Sequence, residues 1–150
     1  MYNKSFFIGK KIMKCWKDVV LFFLIFAIGA AFVLNFSYST SPLTPFYWGG
    51  DTAQFLTIGK EWCNGKIPYR DLFDHKGPLI FFIDMLGFAL NGGKSVSGVF
   101  VIQIIFMFGS LSAFYKIGRL FLNRRCFGII VSICTLICTK YIVNDKIICA

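Results

Sequence analysis

Between residues 50 and 79 the sequence collects groups that can move protons and hold phosphate. Asp51, Glu61, Asp71 and Asp74 stand among Lys60, Lys66, Arg70 and Lys76, with the single histidine, His75, at the end of the series. Trp62 and Tyr69 are interleaved with them, and Tyr47 and Trp48 stand just before. A carboxylate in such company can take a proton from a hydroxyl. A lysine offers phosphate a compact point charge, and an arginine offers it a two-pronged fork. Polar groups gathered against a membrane face suit a ligand that is part lipid and part polar. Each residue also has a plainer role. Asp51 stands in N-cap position before a helical stretch, Asp51 to Asn64. Lys76 can snorkel at an interface, and Arg70 can pair with Asp71 or Asp74. Asp74 and His75 are neighbours, and two adjacent residues seldom ligate a metal alone. The whole loop also fits a solvated connection with interfacial aromatics.

The elements that must carry these residues are apolar. Of 150 residues, 57% are hydrophobic and 19 are Phe, too many in long charge-free runs for a soluble domain of this size. Val19 to Phe36 gives 18 residues without a charge and Val96 to Tyr115 gives 20. As helices they reach roughly 27 and 30 Å, the thickness of a bilayer core, where a helix satisfies its own backbone hydrogen bonds. The fold class expected is an all-α membrane protein with about three transmembrane helices. The net charge of +9 is arranged around those runs. Lys4, Lys10, Lys11, Lys14 and Lys17 precede the first, and Lys116, Arg119, Arg124 and Arg125 follow the second. This is topological charge, not a nucleic-acid patch.

The resulting organisation is a cytoplasmic arm over 1–18, a first span over 19–36 and an external loop over 37–95. A second span over 96–115, a cytoplasmic loop over 116–125 and a third span over 126–143 follow. Lys140 interrupts the third span and can snorkel to the outer face. The loop opens with a breaker-rich stretch holding Pro42, Pro45, Gly49 and Gly50. Pro78 to Leu90 is a short apolar element with Asp84 inside it. Its length suits a juxtamembrane or re-entrant helix, and the charge distribution agrees. If it spanned, the four cations after the second span would fall outside. Asp84 should point to the interior or to water, and Gln103, alone in its span, should hydrogen-bond across a helix interface. Of the six cysteines only Cys63 lies in a polar loop, so no disulfide framework is expected. Cys134 and Cys138, one turn apart, could bind a metal, but their apolar run fits small packing residues better.

The order of residues adds a resemblance. The chain reads Gly50-Asp51-Thr52-Ala53-Gln54-Phe55, then Gly65-Lys66-Ile67-Pro68-Tyr69-Arg70-Asp71-Leu72-Phe73-Asp74-His75-Lys76-Gly77-Pro78-Leu79. This resembles the N-terminal portion of membrane glycosyltransferases with the GT-C fold, closest to the bacterial family 39 and RgtA/B/C/D-like group. Those proteins start with a span and an external loop with an early acid. A G-x-x-P-Y-x-D stretch, a D-H-K-G-P-L or K-P-P-L stretch and a juxtamembrane helix follow. The resemblance covers about residues 19 to 143, and only the first quarter to third of the family's length. It implies transfer of a sugar from a polyprenyl-phosphate donor to an acceptor on the outer side of a bacterial plasma membrane. On that pattern Asp51 matches the catalytic acid, although Thr52 stands where the family often has a second acid. Lys76, Arg70, Tyr69, Asp74 and His75 match the substrate-binding stretch. Some members of the family use a divalent metal ion, for which Asp74 and His75 are the matching positions.

Two other classes compete. A non-catalytic membrane module that binds a lipid phosphate or a partner membrane protein would carry the same loop. A transporter or channel component would place ionisable residues at mid-membrane, and the two clean spans hold none. Because a sugar-phosphate site needs walls that exclude water, the chain is expected to be a fragment, inactive without further helices or a partner.

Overall fold

The computed structural model describes residues 3–37, 39–43, 50–122 and 125–142. Tyr47 and Trp48, Arg124, the end of the expected third span at Val143, and the side chains of Lys140 and of the basic arm up to Cys15 lie outside the described residues. Five helices account for most of the rest, and no strand occurs among the described residues.

The first helix, α1, runs Asn3–Phe36. No proline interrupts it, so the expected arm and first span form one helix. It closes where Ser37 donates its N–H to Val33 and Ser41 caps the Leu34 carbonyl through its hydroxyl at 2.6 Å. Helix α2, Gly50–Cys63, ends at Asn64-Gly65. Lys66 donates to the Glu61 carbonyl and Gly65 to Trp62, the paired bonds of a Schellman cap, with Gly65 at φ +96°. Helix α3, Pro78–Ala89, starts on a proline in its first turn, where the missing N–H has no partner to lose. Helix α4 spans Ser97–Leu122 and α5 spans Arg125–Ile142. Lys116 and Arg119 therefore sit on a continuing helix, where a loop over 116–125 was expected.

Helices α1, α4 and α5 form an antiparallel set. Ile25 of α1 packs with Leu111 and Tyr115 of α4, and Phe22 meets Tyr115 edge-on at 6.2 Å. Phe26 meets Phe108 in the same way at 5.6 Å, and Ser37, at the far end of α1, reaches Gln103. As numbers rise on α1 they fall on α4, so the two run in opposite directions. Helix α5 returns along α4: Gly118 faces Gly128, and Ser132 donates to the Leu111 carbonyl at 3.3 Å. A Cβ on Gly128 would lie 2.7 Å from the Tyr115 carbonyl oxygen. Small residues at such crossings let backbones approach, the common device of helix packing in lipid.

Trp16–Phe36 and Ser97–Phe121, of 21 and 25 residues, are long and apolar enough to cross a membrane. Their outward faces carry large uncovered side chains, among them Trp16, Phe23, Ile105 and Leu120. The apolar stretch of α5, Cys126–Thr139, is shorter than a span. Two of the three expected spans thus have the required length.

Helices α2 and α3 pack together beside the start of α4. Phe55, Ile58 and Phe81 form one cluster; Leu56, Phe88 and Val99 form a second that joins both to α4. Three glycines set the spacing. A Cβ on Gly59 would stand 2.5 Å from that of Asp84, one on Gly87 would meet Val99, and one on Gly98 would collide with the Gly87 carbonyl.

Candidate functional site

The connection between α2 and α3, residues 64–77, holds five of the six residues singled out by sequence, and its own side chains fold it. Asp71 accepts the Ile67 N–H on Oδ2 at 2.9 Å while its own N–H returns to the Ile67 carbonyl at 2.9 Å, closing a tight turn. Arg70 lies against the same carboxylate as a fork, Nε to Oδ1 and one terminal nitrogen to Oδ2, both at 2.8 Å. The hydrogen bonds from Arg70 and the Ile67 amide hold the Asp71 carboxyl down at about 2. Of the two pairings open to Arg70, the structure makes the one with Asp71.

Tyr69 sits at the apex with φ +67°, a left-handed conformation that costs a non-glycine residue about 1 kcal/mol. Three contacts hold it there. Its N–H reaches the Leu72 carbonyl at 2.7 Å, its hydroxyl donates to the Lys76 carbonyl, and its ring lies 6.1 Å from Phe81. Asp74 is 5% exposed. Its Oδ1 accepts the Lys76 N–H at 3.2 Å and lies 3.2 Å from His75 Nδ1, while Oδ2 is buried with no partner among the described residues. Tyr69, Asp74, His75 and Lys76 are therefore brought together, and Arg70 is turned to Asp71.

Asp51 stands apart. It is exposed in the first turn of α2, one residue after the helix begins at Gly50 and so inside the helix, not at its N-cap. The position still places its carboxylate near the positive end of the helix dipole. No hydrogen bond or ion pair joins it to Arg70, His75 or Lys76 among the described residues. Asp74 and His75 are the only loop pair in contact with metal-ligand chemistry. Among the described residues no group of three or more His, Cys, Asp or Glu converges, so the donor set does not fit a divalent ion. The four described cysteines, Cys63, Cys126, Cys134 and Cys138, are free thiols.

A cleft of about 580 Å³ opens between the helices, with all five contributing to its walls. Its apolar sides include Phe36, Ile83, Ile102 and Phe106. Its polar groups include Thr52, Asp84 and a cluster in which the hydroxyls of Ser37 and Thr40 donate to Gln103 Oε1 at 2.8 and 2.6 Å. Gln103 thus bonds across the α1–α4 interface, as its isolation in an apolar run implied. None of the six sequence-selected residues lines this cleft; Asp51 is only the chain neighbour of Thr52, which does. Asp84, expected to point to the interior or to water, is buried and faces the cleft, a cavity that no local pattern reports. The available signal was an ionisable residue inside an apolar run.

The class defined by these features is an all-helical protein with two helices able to cross a membrane and a folded polar loop at one end of them. Compared with known protein families, curated proteins and solved structures, the chain matches none.

Proposed function

We propose that this chain is part of a GT-C-like membrane glycosyltransferase that moves a sugar from a polyprenyl-phosphate donor to an acceptor hydroxyl outside the membrane. The observation that carries the reading is the loop 64–77. The residues that match the family pattern are the ones that fold it, through Tyr69, Asp71 and Asp74, onto α2 and α3. A connection that only joined two helices would need no buried carboxylate and no strained tyrosine. The orientation also supports it. The loop lies at the end of α1 and α4 remote from Lys17, Lys116 and Arg119, so cations in the cytoplasm put the loop outside.

In this reading the acceptor oxygen forms a bond to the anomeric carbon as the bond from that carbon to the phosphate oxygen breaks. The acceptor proton passes to Asp51, and the donor leaves as polyprenyl phosphate. Lys76 stabilises the charge that grows on the departing phosphate. Arg70, already held by Asp71, reaches phosphate only by exchanging partners. Substrate, not a direct contact, bridges Asp51 to the loop. Asp74 and Tyr69 shape the turn that presents Lys76, and no step passes through a metal.

The test uses the chain in lipid bilayers supplied with polyprenyl-phosphate sugars, polyprenyl phosphate or the uncharged polyprenol. The phosphate-bearing lipids should bind, polyprenol should not, and Lys76→Ala should weaken the difference. In a complete enzyme carrying this segment, Asp51→Asn should lower transfer by about 10²–10⁴-fold, the usual cost of a lost general base, with membrane insertion intact. Equal binding of polyprenol and polyprenyl phosphate, or full transfer by Asp51→Asn, would overturn the reading.

A further inference from the structure

The cleft between the helices holds a carboxyl group that no described residue answers. Asp84 is 8% exposed and lines the cleft from α3, while Gly59 of α2 presses against its Cβ and fixes where the side chain leaves the helix. No hydrogen bond or ion pair reaches its carboxylate among the described residues. The lining contributed by α1, α2, α4 and α5 is aliphatic, aromatic, hydroxyl or amide, so Asp84 is the only ionisable residue facing the cleft among the described residues. An ionised carboxylate in apolar surroundings is costly until a cation joins it. The hydroxyls and amide of Ser37, Thr40 and Gln103 supply hydrogen bonds on the α1 and α4 side, and apolar side chains such as Ile102 and Phe106 form the wall. The volume is that of an ordinary small-molecule site.

We propose that the cleft is a binding site for an amphiphilic amine, with the ammonium group on Asp84 and the apolar body against α1 and α4. A fatty or aromatic acid would place two carboxylates together, and a neutral alcohol would leave Asp84 without its cation. This site is independent of the glycosyltransferase reading, because none of the residues assigned to sugar transfer lines it. Burial alone pushes the Asp84 carboxyl up to about 7, so an amine that binds as an ion pair must bring that value down. The amine has two natural sources, a free small amine or the head group of an aminophospholipid.

The experiment places the full chain in phosphatidylcholine nanodiscs at pH 8 and titrates it with hexylamine, hexanol or hexanoate by calorimetry. A parallel set of discs contains phosphatidylethanolamine. Hexylamine should bind at least about 10-fold more tightly than hexanol or hexanoate, and Asp84→Asn should weaken it by about 30-fold, as loss of one partner of a buried charge pair does. Ser110→Phe, which fills the cleft and keeps Asp84, should also weaken it. In protein labelled with ¹³C at aspartate, hexylamine should lower the Asp84 titration midpoint. If phosphatidylethanolamine discs lower it without added hexylamine and block hexylamine binding, the lipid head group is the occupant. If they do not, the site takes a free amine. Equal affinities for hexylamine and hexanol, or an Asp84 midpoint that no amine shifts, would overturn the proposal even if Asp84→Asn fails to fold.

Discussion

Asp71 and Asp84 are both carboxylates of the region between α1 and α4, and their surroundings drive them in opposite directions. Asp71 is exposed but accepts bonds from Arg70 and from the Ile67 amide, so its charged form is favoured. Its folded value lies below its ordinary one. Its contribution to stability is therefore present above about pH 4 and disappears as pH falls through about 2. Arg70→Ala should raise the Asp71 midpoint toward the ordinary aspartate range, read by ¹³C-carboxyl titration, and loosen the turn at Tyr69. A midpoint unchanged in that variant would mean the guanidinium fork is not formed in the membrane-bound protein. Asp84 is the reverse case. Its folded value is raised, so the folded state binds its proton more tightly than the unfolded chain does. Stability should fall as pH rises from about 4 to about 7, by up to about 4 kcal/mol. Asp84→Asn should flatten that slope and be the more stable protein at pH 8. Thermal unfolding in detergent across that pH range measures both; a wild-type stability that climbs through the range would contradict the burial of Asp84.

Two glycines of neighbouring elements do different work, and substitution separates them. Gly65 ends α2 at φ +96° with open space around it, so Gly65→Ala meets no atom and suffers only from its backbone angle. The expected loss is about 1 kcal/mol, with the loop geometry retained. Gly59 lies in the interior of α2, where alanine would ordinarily favour the helix. Here the added Cβ would fall 2.5 Å from that of Asp84 and 3.0 Å from backbone atoms of α3, so the two helices must part. Gly59→Ala should cost about 1–3 kcal/mol in spite of its better propensity. It should also increase labelling of the half-buried Cys63, which packs against the Leu56, Phe88 and Val99 cluster. If Gly59→Ala stabilises the protein, the α2–α3 crossing is wider than described.

For the molecule as a whole, the helix directions and the charges give one prediction about sidedness. Antiparallel α1 and α4 put Lys17 at the same end as Lys116 and Arg119, and put α2, α3 and the loop 64–77 at the other. The positive-inside rule predicts that the first end is cytoplasmic. In a cysteine-free chain expressed in bacterial cells, Lys94→Cys should react with an impermeant thiol reagent in intact cells. Asn123→Cys should react only after lysis. The opposite pattern would invert the protein and place the candidate loop in the cytoplasm, where the proposed donor chemistry has no outer-side acceptor.

The apolar runs at 19–36 and 96–115 and the short element at 78–90 were legible because each depends on an unbroken local pattern. Helix formation in an apolar run needs only neighbours along the chain, and Asn64-Gly65 and Pro78 mark boundaries through their own backbone preferences. Thus α2 and α3 appear within one residue of their expected limits. The extent of α4 past Tyr115 was less legible, because Lys116 and Arg119 suggest a loop by charge yet are good helix formers. The inward turn of Asp84 and the bonding of Gln103 also followed from chemistry, since a polar group in an apolar run must find water or a partner. Which partner, and at what distance, required the packing of α1 against α4. The sequence could offer Arg70 two carboxylates, but only the turn at Ile67 brings Asp71 into the guanidinium fork and leaves Asp74 buried, accepting the Lys76 N–H. The cleft belongs wholly to tertiary structure. Its walls come from residues up to about a hundred positions apart, and no local pattern reports that Gly59 will seat Asp84 where five helices leave a gap. Composition and periodicity determined that this chain makes apolar helices with a polar loop. The close approach of small residues at the helix crossings decided which polar groups meet and which face open space.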